Sequence, residues 1–128
     1  MKFVCFGYLD EESWEKKSEA ERNALIDGCI AYDKVLRQNG HSVMGEGLQD
    51  PKSTVTLRSR GGKVTVTDGP YAETKEVLGG LLILEATDLS HAIELISKHP
   101  GTSMGNWEIR PTEDLAGLIN ESEQRQNG

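Results

Sequence analysis

Two stretches of the chain are apolar with no polar rhythm. Phe3–Leu9 reads Phe-Val-Cys-Phe-Gly-Tyr-Leu, and Val77–Ala86 runs through Leu81-Leu82-Ile83-Leu84 after Gly79-Gly80. Both are strand length, and the missing alternation predicts strands buried on both faces. The period changes after Ser18. Leu25, Gly28, Cys29, Tyr32, Val35 and Leu36 recur at three- and four-residue steps, the mark of an amphipathic helix. Ser18-x-x-Glu21 is its capping box and Asn39-Gly40 its stop. Asp10–Lys17 reads as a charged connection holding Trp14. His41–Gln49 reads as a short strand, with glycines where another group approaches the backbone, broken at Asp50-Pro51. Thr54–Arg60 and Lys63–Asp68 flank Gly61-Gly62, a two-residue hairpin signal. That turn sets Arg60 opposite Lys63, Leu57 opposite Val66 and Val55 opposite Asp68. Thr87 or Asp88 caps a second helix, with Leu89, Ala92, Ile93 and Ile96 as its core face. Lys98 and His99 complement the dipole at its end, and Pro100 stops it. Asn106–Arg110 alternates as a last strand.

Without the hairpin the order is βαββαβ, the ferredoxin-like split unit, so the expected class is α+β with an inserted β-hairpin. The first and third strands of that unit are central, and they are the two that lack alternation. One domain spans residues 1–111. Residues 112–128 follow as a short helix with Leu115, Leu118 and Ile119 on one side, then a polar frayed tail. Two helices cover one face of a sheet. The other face stays apolar, which predicts a homodimer packed sheet against sheet. The C-terminal helix is the rival cover.

Composition narrows the partners. A net charge of −7 and a pI near 4.9 give no pull toward nucleic acid or an anionic membrane. No apolar run nears the roughly 20 residues that span a bilayer. No targeting segment is visible, so a cytoplasmic setting is expected. Cys5 and Cys29 read as buried free thiols. No His/Cys/Asp/Glu set has metal-ligand spacing. Gly45-x-Gly47 opens no helix, so no dinucleotide fingerprint is present. No cofactor is expected.

The candidate chemistry lies in Val66–Glu76. Gly69-Pro70 forces a bend, with Asp68 at its entrance. Asp68 has two readings, a turn residue or a functional carboxylate. Pro70 lacks the N–H that a turn aspartate usually engages. The hairpin register also ends the apolar face on Asp68, where partial desolvation raises a carboxylate pKa toward the range useful for proton transfer. Arg58 points to the opposite face. Asp33 reads as solvated. His41, His91 and His99 read as surface histidines.

Asp68–Glu76, DGPYAETKE, followed by VLGGLLILEA, resembles the signature of the YCII-related family, in its DGPF branch. GEGL at Gly45–Leu48, Thr56-Leu57-Arg58 and Glu108-Ile109-Arg110-Pro111 match more weakly, and Tyr71 stands where Phe is usual. The resemblance covers Met1 to about Pro111. It implies a dimeric α+β barrel and cofactor-independent lyase-like, dehalogenating or isomerising chemistry on a small molecule. Asp68 is then the acid or base, Arg58 or Arg110 the anion holder, and Tyr71 the residue that shapes the pocket. Relatives of this kind carry a His–Asp pair with the His on the first helix, yet no His lies between Ser18 and Gly40 here. The resemblance equally implies a non-catalytic ligand-binding or regulatory module beside sigma-factor systems, with a protein partner in transcription regulation.

Overall fold

Four antiparallel strands carry the molecule, β1 (Lys2–Asp10), β2 (Ser42–Gly47), β5 (Glu76–Glu85) and β6 (Trp107–Pro111). They lie in the order β2-β5-β1-β6. The computed structural model describes all 128 residues, Met1–Gly128. β1 and β5 are central, as their unbroken apolar runs predict. A separate two-stranded hairpin, β3 (Val55–Arg60) and β4 (Lys63–Asp68), is inserted between β2 and β5. Its register is the one the Gly61-Gly62 turn dictates, with Arg60 opposite Lys63 and Val55 opposite Asp68. Both turn glycines have positive φ, +57° and +78°, which the tight turn requires.

Helix α2 (Glu19–Gln38) begins at the Ser18–Glu21 capping box, with both reciprocal bonds present. Helix α3 (Leu89–Ser97) is capped by Asp88, whose carboxylate accepts from the His91 N–H. Both pack on one face of the sheet. The core between them is Phe3, Cys5, Leu36, Leu82, Leu84, Ala86, Ala92 and Ile96. Burial pushes the Cys5 thiol up to about 11, so it behaves as a small apolar group.

Several elements depart from the sequence pattern. Asp10–Lys17 is not a plain connection. Asp10 caps a short helix, α1 (Glu11–Glu15), by accepting from the Ser13 N–H. On α3 the inward residues are Ala92 and Ile96, while Leu89 and Ile93 face outward. The C-terminal helix α4 (Leu115–Asn127) does not fray at Asn120. Its Leu115, Leu118 and Ile119 are exposed, so it does not cover the sheet.

The central strands are buried on one face only. Phe3 and Cys5 are fully buried, whereas Val4, Phe6, Leu81 and Ile83 are half-buried. Cross-strand pairing puts Val4 beside Ile83 and Phe6 beside Leu81 on the open face. No helix is long and apolar enough to cross a membrane.

Candidate functional site

The glycines of three strands fall in one cross-strand row. Gly47 pairs with Gly80, Gly80 with Gly7, and Gly7 with Trp107. No side chain rises from the first three positions, and a cleft of about 370 Å³ lies beside them between the sheet and α2, with Trp107 over Gly7. Trp107 reaches back across β1. A Cβ on Gly7 would come within 2.8 Å of its indole, and one on Gly101 within 2.9 Å. Glycine at both positions therefore admits the ring as an end wall.

The opposite wall is one stripe of α2. Cys29, Asp33 and Arg37 recur every four residues and all line the cleft, as the helical period requires. Tyr32 and Leu36 beside them face the core, and the Tyr32 hydroxyl donates to the Leu95 carbonyl. That contact fixes the rotation of the helix and hence the aim of Asp33.

His99 closes the back of the cleft. The chain leaves α3 at Lys98, and His99 caps a single 3-10 turn, Pro100–Ser103. Gly101 N–H donates to its Nδ1 at 2.9 Å, so the ring proton sits on Nε2 and is donated to Asp33 Oδ1 at 2.8 Å. Trp107 and Tyr32 enclose the ring, with centroids 4.7 and 5.5 Å away. His99 is 4% exposed and Asp33 38%. The carboxylate is thus the forward member of the pair, and the imidazole stands behind it.

The charge state of His99 follows from opposing causes. Burial pushes the imidazole down. The hydrogen bond to Asp33, helped by Cys29, pushes it up further, toward about 9. The Gly101 N–H resists that rise, because it bonds only to a ring with no proton on Nδ1. The net direction is upward.

Asp33 is partly exposed, as its expected solvated side requires, but it is paired with His99, and His99 is buried where the sequence predicts a surface histidine. Asp33 sits next to the core-facing Tyr32, one turn after Cys29. The Pro100-Gly101 turn folds His99 back under α2. A usable signal was present: a side-chain acceptor followed by Pro-Gly is the start of a capped turn.

The residues nominated from the sequence lie elsewhere. Asp68 ends β4 opposite Val55, exposed, its carboxylate in no hydrogen bond or ion pair. The expected desolvation is absent, because nothing within the chain covers the apolar face of the hairpin. Arg58 donates to the Tyr71 carbonyl at 3.4 Å, and Tyr71 is 80% exposed. Gly69–Pro70 is trans. Arg110 pairs with Val4 on the open face of the sheet. The structure brings Arg58 to the backbone of Tyr71 and leaves all four off the cleft.

One motif residue does support the cleft. Both Glu76 carboxylate oxygens accept from Asn106, from its N–H at 3.1 Å and its side-chain amide at 2.8 Å. They hold the residue that leads into Trp107. Glu76→Gln weakens a charge-assisted pair and is expected to cost about 1 kcal/mol in denaturant unfolding. It should also change Trp107 fluorescence.

No group of three or more His, Cys, Asp or Glu is placed to hold a metal ion. A second hollow of about 460 Å³ lies by α1, but only polar side chains such as Asp10, Glu12 and Lys16 line it. It lacks the apolar walls of a small-molecule site.

Comparison with known proteins agrees with this architecture. The YCII-related domain family matches residues 1–116. The uncharacterized protein R00369 of Rhizobium meliloti (strain 1021) is 29% identical over 115 residues, covering 87% of this chain and 91% of the relative. Among solved structures, 5-chloro-2-hydroxyhydroquinone dehydrochlorinase (TftG) of Burkholderia phenoliruptrix AC1100, in complex with 2,5-dihydroxybenzoquinone, shares the fold. Its TM-score is 0.53 and its identity 16%, over 88% of this chain and 94% of that one.

Proposed function

The chain belongs to the YCII-related family, and from that premise we propose that it is a cofactor-independent enzyme of small-molecule acid–base chemistry, lyase- or isomerase-like in type. One observation carries the reading: Asp33 and His99 are joined at 2.8 Å in the wall of a cleft large enough for a small molecule. Asp33 takes or gives the proton, because it is the exposed partner. His99 is a positioning residue, since both of its nitrogens are engaged, and it stabilises the carboxylate through Nε2–H. The fold neighbour is a dehydrochlorinase, which supports proton-transfer chemistry on this scaffold. Asp68, Arg58, Tyr71 and Arg110 then act outside the cleft.

The enzyme works as a homodimer in this reading. Only 11 of 128 residues are buried in the single chain, few for this length, and the open sheet face and the hairpin face both need cover.

The test is proton exchange into enolisable or halogenated ring compounds in heavy water, followed by NMR. Exchange by the wild type that His99→Gln slows, with unchanged circular dichroism, supports the site. Exchange indifferent to both Asp33 and His99 sinks it. A second reading, a regulatory module with a protein partner in transcription, draws on the exposed hairpin and Tyr71. Loss of partner capture on Tyr71→Ala, with no exchange activity at all, would favour it.

A further inference from the structure

We infer that the cleft takes a flat, conjugated carboxylate, laid over the glycine row and held at its charged end by Arg37. This rests on the cleft being the site and adds the class of molecule it admits. Arg37 is the only Lys or Arg in the cleft wall. Its natural partner is Asp33, four residues earlier on the same helix. Asp33 turns instead to His99, and none of the chain's ion pairs includes Arg37. A position in the last turn of α2 complements the helix dipole. That role uses the charge of the guanidinium and leaves its five donors available.

The neighbouring negative charges do not remove the opening for an anion. The Asp33 carboxylate is engaged by the His99 Nε2–H at 2.8 Å. Glu46 borders the cleft, but it lies between Gly45 and Gly47 on β2 and pairs with Leu81, so its side chain alternates to the other face of the sheet. Arg37 thus offers a planar fork to a carboxylate, which it grips through two parallel bonds.

Shape follows from the row Gly47-Gly80-Gly7. Bare backbone at Gly47 and Gly80, ending against the Trp107 indole that lies over Gly7, accepts a flat face and gives a saturated ring nothing to interlock with. Leu48, Leu82 and Met104 supply apolar contact.

The experiment is calorimetric titration and amide NMR on the full chain with cinnamate, cinnamamide and 3-cyclohexylpropionate. Cinnamate is expected to bind saturably and shift the Gly47 and Gly80 resonances. The amide and the saturated acid should bind about tenfold weaker or worse. Arg37→Gln should weaken cinnamate about tenfold and leave cinnamamide unchanged. Gly47→Val should block both, and it should fold, because a Cβ there meets nothing within 4 Å. Equal binding of acid and amide, or no effect of Arg37→Gln, overturns the anion anchor while the cleft still stands through Gly47→Val. Equal binding of the saturated acid overturns the flat floor. Binding unaffected by Gly47→Val, or no saturable binding of cinnamate at millimolar concentration, overturns the inference as a whole.

Discussion

Asp33→Asn is expected to slow proton transfer in the cleft by about 10²–10⁴-fold, the usual worth of a positioned acid or base. The change conserves shape and still accepts from His99 Nε2–H, so the fold should persist. Its second signature is in pH. The folded-state pKa of His99 lies above its unfolded value because Asp33 favours the imidazolium. Such a group adds stability below the ordinary histidine pKa of about 6.5 and loses it as pH rises toward the folded value. The wild-type advantage over Asp33→Asn should therefore be largest near pH 6 and vanish above about pH 9. Its size should be on the order of 1 kcal/mol, reduced by screening because Asp33 is 38% exposed. In the variant, burial dominates and the His99 midpoint drops below its ordinary position. Thermal melts across pH, with NMR titration of His99, measure both effects. A variant with wild-type turnover and an unchanged pH profile removes Asp33 from the site.

The scaffold was legible because local signals agreed with one another. The unbroken runs of β1 and β5 marked central strands, the capping box fixed the start of α2, and Gly61-Gly62 fixed the register of β3 and β4. The candidate site was less legible, because its parts are far apart in sequence and each is ordinary alone. Asp33 and His99 are 66 residues apart, and nothing local to either says that the other arrives. Glycines 7, 47 and 80 form a row only once the pairing of three strands is known. The DGPY stretch stands out in the sequence because its chemistry is contiguous. Contiguity there builds a corner: Gly69 N–H donates to the Thr54 carbonyl and Thr56 Oγ1 to the Gly69 carbonyl. On α3 the helical period marks four residues, Leu89, Ala92, Ile93 and Ile96, of which two are buried. Leu89 and Ile93 fit a helical core stripe, yet Ala92 and Ile96 are the residues that meet the sheet.

Leu57→Lys combined with Val66→Lys is expected to turn the proposed dimer into a monomer in sedimentation velocity. Val55, Leu57, Val64 and Val66 share one face of the hairpin and are 55–66% exposed. A two-stranded hairpin is marginal by itself, and four large apolar groups in water invite cover. Charge points to a second copy as the cover. Val55–Asp68 carries Arg58, Arg60 and Lys63 against Asp68, a net +2, while the rest of the chain carries −9. A basic hairpin on an acidic body complements its own twin. Burying one Leu or Val side chain contributes about 1.5–3 kcal/mol, and two-fold symmetry counts each substitution twice. The expected weakening is about a thousandfold in Kd or more. Lysine at these positions costs the single chain little, since both side chains already face solvent. If the variant remains dimeric, the open face of Val4, Phe6, Leu81 and Ile83 holds the copies together without the hairpin. Phe6→Lys then becomes the change that separates them.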